Sequence, residues 1–182
     1  MSQRTLPDFL APGLNIVSIG INPSLYSVER GFYFARPGNR FWPALNVSGL
    51  VVPPVAPSLE AVELLFHEYR IGFTDLVKRA TARAAELSDA DYRRGTRLLR
   101  EKLVRHAPAI AWFHGTSAYR LFLVHAAMPR PQIAAGLQPE CVGPTRIFVT
   151  PNPSGANPSA NLKQLVPLYR ELAALRDRLP PD

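Results

Sequence analysis

Cysteine is almost absent from this sequence, and long apolar runs are absent altogether. The single cysteine among 182 residues, Cys141, excludes an internal disulfide, a zinc site built on cysteines and a cysteine-held iron–sulfur cluster. No apolar run approaches the ~20 residues that a membrane-spanning helix needs. The N-terminal segment, MSQRTLPDFLAPGLN, lacks the basic start and long apolar stretch of a secretory signal peptide. We therefore expect a cytoplasmic protein.

Groups of metal ligands and phosphate-binding loops are also lacking. The four histidines have no metal-ligand spacing, and no cluster of carboxylates supports a cofactor. The Gly-Lys-Ser/Thr loop that cradles nucleotide phosphates does not occur. We therefore predict that the protein uses neither a metal nor a cofactor.

Acidic residues are outnumbered by basic ones. The chain has 21 Lys and Arg against 14 Asp and Glu, which leaves a net charge of +7. This balance favours a polyanionic partner, because each phosphate that is neutralised releases condensed counterions. An inert basic surface is the alternative interpretation, so charge alone nominates nucleic acid without identifying it.

Apolar segments of strand type alternate with segments of helical spacing. Residues 14–21, 109–115 and 145–150 are short apolar runs typical of buried strands, and 71–77 indicates only an extended segment or a turn. One helical pattern follows Ser58, which is a plausible N-cap. Another extends from Ser88 to His106. The alternation predicts one α/β domain over the whole chain, with a central, mostly parallel sheet flanked by helices.

Two Asn-Pro turns follow predicted strands, at Asn22 and at Asn152. In open α/β sheets, sites form where several strands end, so the two turns are expected to meet. A single Asn-Pro would indicate only an ordinary turn. Between them, the loop GFYFARPGN carries aromatic rings beside arginines, the kind of platform on which unpaired bases stack. We expect at least one of Phe32 and Phe34 to anchor this loop in the core. His114 precedes Gly115 at another strand end and could face the site, but we expect a core or capping histidine.

The first of these turns opens a segment with a specific family pattern. Residues 20–50, GINPSLYSVERGFYFARPGNRFWPALNVSGL, resemble the first signature of the mismatch-specific uracil/thymine DNA glycosylases. There, a Gly-Ile-Asn-Pro-Gly turn precedes a Gly-Phe-x-Phe-Ala loop and an Asn-Arg-Phe-Trp helix. Residues 151–157, PNPSGAN, are similar to the family's second signature, Asn-Pro-Ser-Gly. The similarity extends over almost the whole chain.

The resemblance implies a uracil-DNA glycosylase-like fold and a cofactor-free, monomeric DNA repair enzyme. Its partner would be double-stranded DNA containing uracil mismatches, with single-stranded DNA left open, and the base would be flipped out of the duplex. Asn22 matches the asparagine that positions the hydrolytic water. The implied base-binding residues are Gly20, Ile21, Ser27 and Phe34, and Phe34 stacks on the base. The implied DNA-insertion loop consists of Asn152, Pro153, Ser154, Gly155, Ala156 and Asn157.

Four positions depart from the family pattern. Ser24 stands in place of the glycine that follows the first Asn-Pro. Ala156 and Pro158 stand where the family has a bulky apolar wedge and, soon after, an arginine, so we expect only modest preference for an opposite guanine. Asp75 stands where a basic residue is common. It is either a second catalytic group or an exposed or capping carboxylate. A non-catalytic nucleic-acid-binding module remains the alternative to an enzyme.

Overall fold

Five short strands form the centre of the molecule. The computed structural model describes residues 5–129 and 132–180. The strands are β1 (Ile16–Gly20), β2 (Ile71–Asp75), β3 (Ile110–His114), β4 (Gly136–Val142) and β5 (Thr145–Thr150). They are joined in the order β2-β1-β3-β5-β4, and only β4 is antiparallel to its neighbour. The predicted α/β fold with a central, mostly parallel sheet is confirmed.

Helices cover both faces of this sheet, because alternate strand residues point to opposite sides. The helices are α1 (Leu25–Arg30), α2 (Phe41–Asn46), α3 (Leu59–His67), α4 (Asp89–His106), α5 (Thr116–His125) and α6 (Leu162–Asp177). Apolar residues of α2, α3 and α6 form one buried cluster with one face of the sheet, and those of α4 and α5 form the other. Within the described ranges, none of the helices has the length and apolarity needed to cross a bilayer.

The side chains that start two of the helices behave as the sequence predicts. The Ser58 hydroxyl accepts the backbone N–H of Ala61 at the start of α3, and Ser88 does the same for Asp91 in α4. Each hydroxyl satisfies a backbone donor that has no partner within the helix. Since α4 runs back to the start of β3, its first turn lies toward the edge where the parallel strands end.

The outer edge of β2 is covered by the segment that precedes β1. Phe9 and Phe73 exchange two backbone hydrogen bonds, with N···O distances of 2.9 and 3.0 Å. On its other side, β2 is in register with β1, so that Asp75 lies opposite Gly20. Residues 71–75 are therefore a fully buried strand, and this strand brings Asp75 to the carboxyl edge of the sheet.

Candidate active site

A pocket of about 340 Å³ opens at the carboxyl ends of the parallel strands. Each of the four parallel strands supplies a polar residue to it: Asn22 follows β1, Asp75 ends β2, His114 ends β3 and Asn152 follows β5. The two Asn-Pro turns therefore lie at one pocket. Its volume is in the range of sites that enclose a small ligand.

Most of the sequence-predicted site residues line this pocket. They are Gly20, Ile21, Asn22, Ser27, Phe34, Asp75, Asn152, Ser154 and Ala156. The other three, Pro153, Gly155 and Asn157, belong to the same loop as Asn152 but are not among the lining residues. Catalytic and base-binding candidates thus share one cavity, and part of the candidate insertion loop forms its wall.

The side chain of Asn22 is held by its nitrogen. Nδ2 donates to the carbonyl oxygen of Arg79 at 2.9 Å and to Oγ1 of Thr81 at 2.7 Å. A carbonyl can only accept, so these contacts fix which end of the amide is nitrogen. The Thr81 hydroxyl in turn donates a hydrogen bond to the carbonyl oxygen of Arg83. No hydrogen bond to Oδ1 of Asn22 is found within the described residues, so the free half of this amide is an acceptor.

The side chain of Asn152 is held by its oxygen instead. Oδ1 accepts the backbone N–H of Ser154 at 3.0 Å, and the Asn152 carbonyl accepts Nδ2 of Asn157 at 3.0 Å. Across residues 5–129 and 132–180, Nδ2 of Asn152 has no hydrogen-bond partner. The pocket therefore has an amide acceptor at one wall and an amide donor at another.

Asp75 is a buried carboxylate, with 4% of its surface exposed, so the interpretation of an exposed residue is wrong. The carboxylate occupies the space where Gly20 has no side chain: a Cβ there would lie 2.8 Å from Oδ1 of Asp75. Burial raises the pKa of Asp75 to about 6, even though the neighbouring Lys78 ammonium and Tyr33 hydroxyl favour the ionised form. At neutral pH it is mostly ionised and more basic than an ordinary carboxylate.

The aromatic wall of the pocket is Phe34. Its ring stacks on Phe41 with centroids 4.1 Å apart and meets the His114 ring edge-on at 5.0 Å. Phe34 has a φ of +57°, a left-handed conformation that is strained for a bulky residue and is often kept at functional sites. Phe32 and Phe34 both pack against the core, which confirms the expected anchoring, while the most deeply buried ring of the loop is Tyr33.

His114 lines the pocket although it is also a core residue. Its Nε2 lies 2.8 Å from the Ser18 hydroxyl, and its Nδ1 is buried without a hydrogen-bond partner among the described residues. Burial lowers the pKa of His114 to about 3, so the imidazole is neutral at physiological pH. The sequence signal for His114 was its position at the end of a predicted strand, where a side chain can serve both core and site.

The two loops that carry the family signatures are joined by Arg40. Its Nη1 donates to the carbonyl oxygens of Ser154 and Asn157, both at 3.0 Å, and its backbone N–H donates to Pro153. This guanidinium therefore fixes the loop that follows β5 against the loop that precedes α2. The local sequence contains no signal for this contact, because Ser154 and Asn157 lie more than a hundred residues from Arg40 in the chain.

Comparison with known proteins supports the interpretation of this site. The family model of the uracil DNA glycosylase superfamily matches residues 7–173. The chain belongs to the uracil DNA glycosylase superfamily. The matched range contains both Asn-Pro turns, Asp75 and His114. Membership of this superfamily supports a DNA glycosylase role, with DNA as the partner.

A solved structure has the same fold as this superfamily member. The solution NMR structure of a Methanosarcina acetivorans protein, provisionally assigned as a uracil DNA glycosylase, matches with a TM-score of 0.55 and 23% sequence identity. The match covers 93% of this chain and 98% of that chain. At this identity, the similarity is evidence for the fold.

A second and larger hollow of about 1110 Å³ lies between the outer surfaces of α4 and α5. Five arginines line it, namely Arg93, Arg94, Arg97, Arg100 and Arg105. It contains none of the polar groups at the strand ends, which line the smaller pocket instead. Within residues 5–129 and 132–180, no cluster of His, Cys, Asp and Glu is arranged to hold a metal ion.

Proposed function

We propose that this protein is a uracil-DNA glycosylase of the mismatch-specific type, with only modest preference for the opposite base. It hydrolyses the N-glycosidic bond of a uracil that has been flipped out of DNA, and it leaves an abasic site. The observation that carries this proposal is the combination of a free amide oxygen, a buried carboxylate and a free amide nitrogen in one pocket. These are the groups that are needed to orient a water, accept its proton and stabilise a departing anion.

The attacking water is oriented by Asn22 and deprotonated by Asp75. As the bond between C1′ and the base nitrogen breaks, its electron pair stays on the base and leaves an oxocarbenium-like sugar. The free Oδ1 of Asn22 accepts a hydrogen bond from the water, whose oxygen then bonds to C1′. The water proton passes to the Asp75 carboxylate, whose raised pKa makes it a better base than a solvated carboxylate.

The departing base is stabilised by Asn152 and Phe34. Uracil leaves as an anion whose charge is shared with its carbonyl oxygens, and the free Nδ2 of Asn152 donates a hydrogen bond to one of them. The face of Phe34 opposite to Phe41 stacks on the base. Gly20, Ile21 and Ser27 complete the base pocket.

The loop after β5 provides little to fill the gap that a flipped nucleotide leaves. Ala156 is exposed and has only a methyl group, and Pro158 has no donor for an opposite guanine. The enzyme therefore accepts G·U and other contexts with modest discrimination. Thymine and damaged pyrimidines are further candidate bases, and single-stranded DNA is a further candidate substrate.

The enzyme is monofunctional, because a lyase step needs an amine nucleophile for a Schiff base. Lys78 is the amine beside Asp75, but it is ion-paired with Asp8 at 2.9 Å and is not among the residues that line the pocket. Strand breakage should therefore require alkali treatment after the reaction. Breakage without alkali would show that an amine takes part.

The test is uracil release from oligonucleotides with G·U, A·U, G·T and single-stranded sites, read as alkali-labile strand breaks. We expect breaks at uracil in duplex substrates from the native protein and almost none from the Asn22→Ala, Asp75→Asn double variant. No release from any substrate would overturn the proposal. Salt-dependent DNA binding without release would support the alternative, a non-catalytic nucleic-acid-binding module.

A further inference from the structure

Asp75 is the last of four charged side chains that form a row of alternating sign. Lys102 of α4 contacts Oδ2 of Asp8 at 2.6 Å, and Oδ1 of Asp8 contacts Lys78 at 2.9 Å. Lys78 in turn lies 3.5 Å from Oδ2 of Asp75. Only Asp75 of these four lines the pocket. The row therefore connects a candidate catalytic carboxylate to a residue of the N-terminal segment.

Asp8 is held in place by the outer edge of the sheet. The residue that follows it, Phe9, pairs with Phe73 of β2, and the Thr74 hydroxyl donates to Oδ1 of Asp8 at 2.7 Å. Tyr33 donates its hydroxyl proton to the carbonyl of Pro7 at 3.0 Å. Two sheet residues and one loop residue thus hold the segment that carries Asp8 beside Lys78.

Lys78 is shared unequally between its two carboxylates. Its ammonium nitrogen is 2.9 Å from Asp8 and 3.5 Å from Asp75, and it donates to the Tyr33 hydroxyl at 3.1 Å. An ammonium has three protons, and here each has a different acceptor. The shorter contact to Asp8 holds the ammonium away from Asp75, so that Lys78 and Asp75 form only a partial ion pair. Without the charge of Asp8, Asp75 would become the only anionic partner of Lys78 within the described part of the chain.

We propose that Asp8 is a positioning residue for the active site, which acts by holding Lys78 and so prevents it from neutralising Asp75. This inference rests on the proposed role of Asp75 as the acceptor of the water proton. A carboxylate in a full ion pair holds a proton weakly and is a poor base, whereas a partly paired one remains basic. The described ionisable groups that act on Asp75 are Lys78, Tyr33 and Asp8.

The decisive variant is Asp8→Asn, which keeps an acceptor for Thr74 and removes the charge. Two effects then act in the same direction: Lys78 is released toward Asp75, and the repulsion from Asp8 is lost. We expect the acidic limb of the pH–rate profile for uracil release to move to lower pH by about one unit. The Asp75 carboxyl resonance, followed by carbon-13 NMR, should titrate lower by the same amount. An unchanged Asp75 titration in the folded variant would overturn the inference.

A second variant predicts the opposite sign. Among the described residues, Lys102→Gln leaves Asp8 with Lys78 as its only cationic partner, so Lys78 is drawn further from Asp75 and the acidic limb should move to higher pH. The downward shift in Asp8→Asn is the part that a merely structural role for Asp8 does not predict, and the opposite shift in Lys102→Gln shows that the link depends on charge. The matched control is Glu101→Gln, which removes one carboxylate that pairs with Arg97 on the exposed face of α4. Shifts of the same size in this control would overturn the inference.

The two proposals fail in distinguishable ways. The NMR titration of Asp75 reports on Asp8 and Lys78 whether or not the protein releases uracil. A titration that shifts as expected in a protein that cleaves no substrate would overturn the proposed function and support the electrostatic link. Uracil release with a pH profile that is the same in the Asp8 and Lys102 variants as in the native protein would overturn the electrostatic link and support the proposed function.

Discussion

The turn after β1 and the turn after β5 contain the same dipeptide, but they use opposite ends of the asparagine amide. Asn22 is held through Nδ2 by Arg79 and Thr81, which are 57 and 59 residues away in the chain. Asn152 is held through Oδ1 by Ser154, only two residues away. The first orientation depends on the tertiary fold, and the second is a local turn. The chemistry of an asparagine thus depends on which of its two polar atoms the protein occupies.

The largest effect is expected when the free acceptor is removed. Asn22→Ala should lower the single-turnover rate of uracil release by about 10³-fold, because in the proposed mechanism the amide orients the water in the transition state. DNA binding should fall little, since the role proposed for Asn22 is on the water and not on the phosphates. Rates from rapid quench and affinities from fluorescence anisotropy separate the two. Parallel losses of rate and affinity in a folded variant would contradict the role, and residual activity is expected from Asp75.

The second largest loss of rate is expected at Asp75, the carboxylate that lies opposite Gly20. Asp75→Asn should lower the rate by about 10²-fold. In the native enzyme, the rate should fall as the pH is lowered through about 6, because protonated Asp75 cannot accept the proton of the water. The variant should lack this acidic limb. A native rate and pH profile in Asp75→Asn would remove the residue from the mechanism.

The same variant has a stability control. Since the pKa of Asp75 is higher in the folded protein than the ordinary value of 3.8, the ionised carboxylate lowers the free energy of unfolding above about pH 6. Asp75→Asn should therefore melt at a higher temperature than the native protein at pH 8, and the difference should shrink toward pH 4. If Asp75→Asn melts at a lower temperature than the native protein at pH 8, the carboxylate stabilises the fold.

The free donor of the second turn is tested by Asn152→Asp. This change keeps the oxygen that accepts from Ser154 and replaces the free nitrogen with a second acceptor. Because a carboxylate repels the departing uracil anion, the rate should fall by about 10²-fold or less, with the turn intact. For substrates whose base is a better leaving group, such as 5-fluorouracil, the variant should lose less of the native rate. An equal loss for all bases would mean that Asn152 does not stabilise the leaving group.

The dependence of the first turn on distant residues predicts a smaller effect at Thr81. Thr81→Val removes one of the two acceptors of Nδ2 of Asn22 without changing the size of the side chain much. Losing one such hydrogen bond should cost about 1 kcal/mol, or roughly fivefold in rate. Combined with Asn22→Ala, the change should have no further effect. Additive losses would show that Thr81 acts independently of Asn22.

The smallest expected effect concerns the loop of the second turn. Ala156→Leu adds an exposed apolar side chain that can enter the gap left by the flipped nucleotide, so abasic product should be released more slowly. The single-turnover rate should stay within about twofold, since the proposed mechanism gives Ala156 no role in the chemical step. Product dissociation, followed by competition with unlabelled abasic DNA, measures this. Strong G·U over A·U preference in the native enzyme would show that other residues read the partner strand.

The predictability of the fold and the site from sequence follows the same division between local and distant contacts. β1 and β3 are predictable because strands buried on both faces are continuously apolar. β4, GLQPECV, has no such run, because it is a partly exposed antiparallel edge that contains a proline. Asn22 and Phe34 follow from the resemblance. The atoms that orient Asn22, and the ion pairs of Lys78, depend on contacts across the chain that no short pattern encodes.

The contact between Gly155 and Gly38 has a consequence for how such sequences can diverge. A Cβ at residue 155 would lie 2.9 Å from the carbonyl oxygen of Gly38, so a side chain there displaces the backbone of the other loop. Arg40, two residues further on, holds the same loop by its guanidinium. Homologues that replace Gly155 should therefore also have altered residues between 38 and 40. We expect the two segments to be inherited as a pair, and chimaeras that exchange only one of them between distant homologues to fold with a displaced loop.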